Sequence, residues 1–578
     1  MNLFNIPSSP TMAAAFEACR RYFLYAFFFS ALLNLLFIAP MLYMLQVYDR
    51  VVPTRGGTTL ALLTLVLLFA LTTLAALDAI RSRLLVRSGA RLDRILSGAI
   101  LDATLARPDQ SAQRLAKQAI REFDTLRQAL TGPAILGVLD APWIPVYILV
   151  GFLIHPWVGV LTVVGAGLVV ILALRNENLT REPLQRANVA AGRAYAAHEF
   201  TVASADVVRA LGIRQALVNG HLEDRRTMME LQTSASIAST GLTALSKFLR
   251  LALQSLALGL GALLAINAKI SPGAIFASMF IVGRAMAPID QLVGSWKIIV
   301  QARGAYRTLA DLFAETPAAV ALTQLPPPEG RLDVEALTVL DPRGQPILNR
   351  VSFSVRAGEV VGIVGPSGAG KSTLARAIAG AILPAAGTIR FDGADHRNWD
   401  SEQLADHIGF MPQDATLFAG TVKDNISRFR LLMGEDTATV DKATIEAAQL
   451  AGAHDLILGL PGGYDYPLAL GGKGLSAGQG QRIALSRALF RNPRYIILDE
   501  PNAHLDAEGD MQLAQTLQRL KSEGVTVLLI AHRMSILPLV DTLLLLQDGR
   551  VTAHGARDEV LRKIAPTAQV PRRNGAKS

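Results

Sequence analysis

Residues 365–373 read Gly365-Pro366-Ser367-Gly368-Ala369-Gly370-Lys371-Ser372-Thr373. From Gly365 to Ser372 the spacing is that of a phosphate-cradling loop, G-x-x-x-x-G-K-[ST]. The apolar run Val360-Val361-Gly362-Ile363-Val364 before it predicts a buried strand, and Leu374–Ala379 after it predicts a helix. The glycines turn backbone N–H groups towards phosphate oxygens, and the helix N-terminus adds its dipole. In such a loop Lys371 supplies positive charge to the β- and γ-phosphates, and the Ser372 hydroxyl is a ligand for Mg²⁺.

Around this loop the 578 residues divide unevenly. Charged residues are only 18% of the chain, and the mean hydropathy is +0.34. Both values point to membrane spans. The apolar residues concentrate before about residue 300, in six stretches able to cross a hydrocarbon layer of about 30 Å: Tyr22–Leu45, Thr58–Ile80, Pro133–Ile154, Pro156–Leu174, Phe248–Ile266 and Pro272–Trp296. The third and fourth are separated only by His155-Pro156's junction and predict a tight hairpin. The first is too long, and too poor in a small-residue cleavage site, to be a removable signal peptide. A single cysteine, Cys19, excludes an intrachain disulfide.

The net charge of +9 is mostly topology. Segment 81–132 carries Arg81, Arg83, Arg87, Arg91, Arg94, Arg107, Arg114, Lys117, Arg121 and Arg127, and segment 175–247 is similarly loaded. The opposite connections hold only Arg50, Arg55 and Lys269. By the positive-inside rule, both termini and both long loops are expected in the cytoplasm. This distribution argues against nucleic acid as a partner; the lipid bilayer is the implied one. Leu115, Ala119, Glu122, Phe123, Leu126 and Leu130 keep a helical period, so the loops read as membrane helices continuing past the bilayer. Short helices near Ala103–Lys117 and Asp206–Val218 read equally as domain-contacting tips or as solvated connections.

Thr316-Pro317 and Leu325-Pro326-Pro327-Pro328-Glu329-Gly330 predict an extended spacer. The expected organisation is a short cytoplasmic N-terminus (1–21), a membrane domain (22–315), a Pro-rich linker (316–330), a nucleotide-binding domain (331–566) and a basic tail (567–578).

Two further motifs extend the phosphate loop. Tyr495-Ile496-Ile497-Leu498-Asp499-Glu500 is an apolar strand ending in two carboxylates. If it ends beside the loop, Asp499 reaches the Mg²⁺ shell and Glu500 can polarise an in-line water. Leu475-Ser476-Ala477-Gly478-Gln479 precedes a helix and forms a second anion-binding helix start. Two such starts can grip one nucleotide if two chains face each other, which predicts a dimer.

At this point the second half resembles the ATP-binding-cassette (ABC) superfamily. The motifs are the Walker A loop 365–373, Gln413 in Met411-Pro412-Gln413-Asp414, the LSGGQ-like 475–479 and Walker B at 495–500. The D-loop Asn502-Ala503-His504-Leu505-Asp506 and the switch histidine His532 in Ala531-His532-Arg533 complete the order. The resemblance implies ATP and Mg²⁺ as cofactors, with residues 365–373, Ser476, Gly478 and Gln479 on the nucleotide. It implies Ser372, Gln413 and Asp499 at the metal, Glu500 as general base, and His532 as γ-phosphate sensor with Gln413 beside it. Ser476 and Gly478 would then act on the partner chain's nucleotide, and both sites of a homodimer would hydrolyse ATP. The implied fold is an all-α six-span membrane domain of the type I ABC exporter kind, followed by an α/β P-loop ATPase domain. Two departures stand out. Ala477 replaces the second glycine of LSGGQ, and Val339-Leu340-Asp341-Pro342 lacks the ring that usually stacks on adenine. Loss of that stack costs about 1 kcal/mol and weakens the expected choice of ATP over GTP.

In the membrane half, Gln46–Pro53 (QVYDRVVP), Asp140–Tyr147 (DAPWIPVY) and Arg284–Asp290 (RAMAPID) resemble the protein exporters of type I secretion systems, particularly the protease/lipase-exporter (PrtD-like) branch. The resemblance implies a bacterial inner-membrane homodimer exporting a protein cargo with an uncleaved C-terminal signal. Its partners would be a periplasmic adaptor and an outer-membrane channel. With some twenty residues before the first span, no leader-cutting peptidase domain is expected. The alternative is a lipid or drug/peptide half-exporter using the same engine. Arg284 is expected to line the translocation path, with pairing to another span as the competing reading. Asp140 is expected at the membrane interface, bent there by Pro142 and Pro145.

Overall fold

The computed structural model describes residues 9–106, 110–314, 325–472, 474–503, 505–531 and 536–564. The chain forms two compact units.

The first unit is helical. It opens with α1 (Pro10–Leu36), α2 (Ala39–Gln46), a π-helical turn (Val47–Val51) and α3 (Val52–Thr54). There follow α4 (Gly57–Leu105), α5 (Gln110–Thr131), α6 (Pro133–Asp140), α7 (Ile144–Ile154), α8 (Pro156–Ala203), α9 (Ala205–Ala210), α10 (Arg214–Ile266), α11 (Pro272–Gly294) and α12 (Trp296–Ala314). Six stretches among the described residues are long and apolar enough to cross a membrane: Pro10–Thr54, Gly57–Leu105, Pro133–Ile154, Pro156–Ala203, Thr240–Ile266 and Pro272–Gly294. α4, with 49 residues, is about 73 Å long at 1.5 Å per residue, more than twice the hydrocarbon layer. α8 and α10 run as long, and they pack along each other.

The first helix begins ahead of the expected span. α1 starts at Pro10, where Ser9 caps the helix by accepting the Met12 N–H at 3.3 Å and proline occupies the first turn. Met12, Ala15 and Cys19 are fully buried with Leu92, Leu96, Phe123, Leu126 and Leu309. The N-terminal stretch is thus part of the helical core rather than a separate leader to it. The third span also differs: it breaks between α6 and α7 in a 3₁₀ turn, Ala141–Trp143. Pro142 and Pro145 remove the amide donors that a continuous helix would need there. Of the two expected tips, residues 107–109 lie outside the described residues, and the other is the six-residue α9 followed by a turn.

The second unit is built on β-sheets. β1 (Leu332–Leu340), β2 (Pro346–Val355), β3 (Val360–Val364), α13 (Lys371–Ile378), β4 (Ala386–Phe391) and β5 (Ala394–Asp395) come first. Next are α14 (Ser401–His407), β6 (Ile408–Met411), β7 (Gly420–Thr421), α15 (Val422–Ile426), α16 (Thr437–Leu450), α17 (His454–Leu458), β8 (Pro467–Leu468) and α18 (Ala477–Leu489). The unit closes with β9 (Tyr495–Asp499), α19 (Ala507–Ser522), β10 (Thr526–Ile530), β11 (Thr542–Gln547), β12 (Arg550–Ala556) and α20 (Arg557–Ile564). The central sheet has the order β12-β11-β3-β10-β9-β6, parallel except for the antiparallel edge β12. Its inner strands β3, β10 and β9 are almost wholly apolar and buried, as in a parallel sheet covered on both faces, whereas the edge β12 is not. That second, antiparallel sheet has the order β2-β1-β4-β5.

The end of the expected linker, residues 325–330, packs onto this unit. Leu325 packs against its core, and Gln403 donates to the Leu325 carbonyl at 2.9 Å. The Glu329 and Gly330 N–H groups both donate to Asp392. Residues 315–324, which contain the rest of the linker, and the basic tail lie outside the described residues.

Candidate nucleotide site and membrane polar network

The phosphate loop joins β3 to α13. Gly365 has φ 154° and Gly370 φ 96°. A Cβ on Gly365 would meet the Leu546 carbonyl oxygen at 2.1 Å, and one on Gly370 would meet Leu348 at 2.8 Å and the Ile347 carbonyl at 3.2 Å. The loop is therefore wrapped against β2 and β11 so closely that only glycine fits at its two ends. Pro366, Ser367 and Gly368 are exposed, Ala369 is buried, and Ser372 and Thr373 are half-buried in the first turn of α13. Lys371 is 6% exposed, and its Nζ donates to the carbonyls of Gly365 and Pro366, each at 2.9 Å. Burial pushes this ammonium below the usual lysine pKa, while the carboxylates of Glu500 and Asp499 pull it back up. The cation and the two acids thus share one electrostatic site.

The acids reach the loop's edge of the sheet from β9, two strands away from β3. β10 lies between, and its end aligns all three: Ile530 pairs with Ile363 on one side and with Asp499 on the other. β6 flanks β9 beyond, Met411 opposite Leu498, so Gln413 leaves the same edge of the sheet two residues later. His532 lies outside the described residues, as does His504. Asp499 is 2% exposed. Glu500 has φ 52°, a left-handed conformation that costs a non-glycine residue of order 1–3 kcal/mol and is concentrated at functional positions. Its N–H donates to the Ile530 carbonyl at 3.1 Å, which turns the chain out of the sheet there.

α18 begins with a complete capping box. The Ser476 hydroxyl accepts the Gln479 N–H at 3.2 Å, and the Gln479 side chain accepts the Ser476 N–H at 2.8 Å. Ser476 and Ala477 are exposed and Gly478 is half-buried. Two residues further on, sequence reasoning missed what ties this helix to the acids. Gln481, 2% exposed, donates to the Glu500 carbonyl at 3.2 Å, and Arg482 pairs with Asp506 at 3.2 Å. A polar residue on the inward face of an otherwise alanine- and leucine-rich helix was the available signal. Arg428 was missed as well: its guanidinium donates to the carbonyls of Ala405, Ile408 and Arg487, and burial lowers its pKa to about 10. It clasps the C-terminal ends of α14 and α18, where helix dipoles favour a cation.

In the membrane unit, Asp140 is 6% exposed and binds the Ser30 hydroxyl, Asn34 Nδ2 at 2.9 Å and Arg81 Nη1 at 3.0 Å. Arg81, equally buried, also pairs with Asp78 at 2.8 Å. Asn34 accepts the Tyr147 hydroxyl at 2.7 Å, and Arg284 Nε reaches that hydroxyl at 3.4 Å with its guanidinium 3.2 Å above the Phe37 ring. Both partners of Arg284 lie on other spans, the arrangement of the competing reading. Asp290 likewise turns to another helix, pairing with Arg250 at 3.2 Å and Ser246.

Residues 23–286 match the ABC transporter transmembrane region and residues 348–503 the ABC transporter ATPase family. The chain is 40% identical to the type I secretion system ATP-binding protein PrsD of Rhizobium meliloti (strain 1021), covering 98% of this chain and 96% of that one. It is 28% identical to the leukotoxin translocation ATP-binding protein LktB of Mannheimia haemolytica, over 94% of this chain and 76% of LktB. The fold matches the structure of a bacterial Atm1-family ABC exporter with ATP bound, at a TM-score of 0.79 and 24% identity, over 97% of this chain and 99% of the other. Six apolar helices, a P-loop unit with its Walker acids on one sheet edge, and a near-full-length relative converge: the chain belongs to the ABC transporters, in the group of type I secretion ATP-binding proteins.

Proposed function

We propose that this multi-pass inner-membrane protein works as a homodimer that spends ATP to export a protein cargo carrying an uncleaved C-terminal signal. Its partners in that reading are a periplasmic adaptor and an outer-membrane channel, and its termini and long loops face the cytoplasm. The relatives' names and the clustering of Arg and Lys on the two long loops support this. The observation that carries the engine is the alignment of Ile363, Ile530 and Asp499, which brings Lys371 and the two acids to one sheet edge.

The donor set fits a magnesium nucleotide. Ser372, Gln413 and Asp499 offer hard oxygen ligands, the kind Mg²⁺ selects, and the glycine cradle leaves no room for side chains. Mg²⁺ would neutralise developing charge on the phosphates. Lys371 binds and orients the β- and γ-phosphates, Glu500 accepts the proton of the attacking water, and His532 senses the γ-phosphate. Ser476, Gly478 and Gln479, at an exposed helix start, grip the nucleotide held by the second subunit. Arg284, held on Phe37 and Tyr147 yet half-buried, presents its charge to the path. Arg284→Gln should then impair export while insertion and basal ATPase persist.

Complementation tests the shared site. Lys371→Ala and Ser476→Arg each abolish ATPase alone. Co-expressed, the mixed dimer regains one intact composite site, so activity returns. Absence of any recovery in an isolated mixed dimer would defeat the two-chain site.

A further inference from the structure

The motif at residues 46–53 does structural work that the ATPase cycle leaves unexplained. Val47–Val51 forms a π-helical turn, an expanded turn often retained at functional positions. That turn aims Asp49 at the N-terminus of α11. Asp49 Oδ1 accepts the Gly273 N–H at 2.6 Å, and Oδ2 accepts the Ser271 hydroxyl. Ser271 in turn caps α11 by accepting the Ala274 N–H at 3.3 Å. One turn along, the Tyr48 and Phe276 rings stack with centroids 4.2 Å apart and planes 18° from parallel. The two backbones touch: a Cβ on Gly273 would lie 2.6 Å from the Leu45 carbonyl oxygen. The end of the first span is thereby fastened to the start of the sixth, the most enclosed span of the six.

We propose that residues 45–49 and 271–276 form a latch closing the far end of the transport pathway, which must part for cargo to leave. The fastening lies where spans one and two, and spans five and six, are joined, opposite the long connections between spans two and three and spans four and five. Its chemistry suits repeated opening. Asp49 is half-exposed and Tyr48 is 36% exposed, so water replaces their partners when they separate. The Asp140 network further along the first span is buried and has no such substitute, so it holds the helices together as the outer end parts. The proposal rests on the export reading for its cargo, but not for its motion.

The experiment uses full-length protein with Cys19→Ser, Tyr48→Cys and Phe276→Cys, bridged by a short reducible bis-thiosulfonate. Bridging is expected to cut cargo export at least tenfold, with restoration on reduction; equal export by the bridged protein overturns the latch. Motion is read separately from cargo in a Phe276→Cys, Cys19→Ser variant with Glu500→Gln. A membrane-impermeant maleimide added from the far side should label it at least threefold faster with ATP than without. An unchanged labelling rate overturns the latch whatever the cargo, whereas faster labelling without export by the unbridged protein sinks only the export reading.

Discussion

Gln481 donates its side-chain N–H to the carbonyl oxygen of Glu500, 3.2 Å away, joining the helix that starts at Ser476 to the second acid at the end of β9. Any displacement of α18 by a second subunit's nucleotide is therefore felt at the backbone of Glu500. The relationship makes Gln481 a positioning residue. Gln481→Leu keeps the volume and removes one of the two N–H donors to that carbonyl, the Ala503 N–H remaining as the other, so the link between α18 and Glu500 is lost while the carbonyl stays bonded. The expected outcome is a 5- to 50-fold lower kcat for ATP hydrolysis with KM nearly unchanged, and a normal melting temperature of the purified protein within a few degrees. Loss confined to KM would assign Gln481 to nucleotide binding instead.

Gly365 makes a second, sharper case. Its φ of 154° is one that side-chain-bearing residues rarely adopt, and a Cβ there would sit 2.1 Å from the Leu546 carbonyl, backbone that cannot rotate away as a side chain can. Gly365→Ala should displace the loop and the two carbonyls that hold Lys371. Binding of a fluorescent ATP analogue should weaken at least tenfold, while Gly368→Ala, with nothing within 4 Å of its added Cβ, loses less despite its positive φ.

The contrast between what was readable and what was not follows contact range. The P-loop, the acid-tipped strand and the Ser476 cap are local motifs whose chemistry is written in consecutive residues. The six spans are legible because twenty apolar residues have few other fates. Sheet order was not: nothing local says that β10 separates β3 from β9 and aligns Ile363 with Asp499. The partners of Asp140 were hidden for the same reason. Its burial depends on Ser30, Asn34 and Arg81, residues 51 to 110 positions distant in the chain from their partners. Gln481 left only the signal of a polar residue on an apolar helix face, and Arg428 acts through backbone carbonyls, which leave no trace in side-chain patterning.

Acid sensitivity should come from the histidines of the ATPase unit. Burial lowers the pKa of His396, which Asp395 only partly offsets, and the same cause lowers His407 and His554. Each group therefore takes up a proton more readily unfolded than folded. Stability is full above the unfolded value of about 6.5 and falls as pH drops below it. Asp395, held at about 2 by Arg397, stays ionised throughout that window and adds no slope. Between pH 7.5 and 5.5 the melting temperature should decline, and His396→Gln should flatten the decline; a steeper profile in that variant would contradict the assignment.

The Arg81–Asp140 pair permits a test in which charge and packing separate. Both side chains are under a tenth exposed, and their 3.0 Å contact sits among Ser30, Asn34 and Tyr147 on neighbouring spans. Removing one partner strands a buried charge, which typically costs about 3–5 kcal/mol, whereas replacing both by apolar groups of similar size is often neutral. Asp140→Leu alone should thus lower the yield and thermal stability of the solubilised protein severely. Arg81→Met combined with Asp140→Leu should recover most of that stability, because Asp78 is half-exposed and can hydrate once Arg81 is gone. If the double variant is instead as unstable as the worse single one, the network's hydrogen bonds to Ser30 and Asn34, rather than the ion pair, hold these helices together.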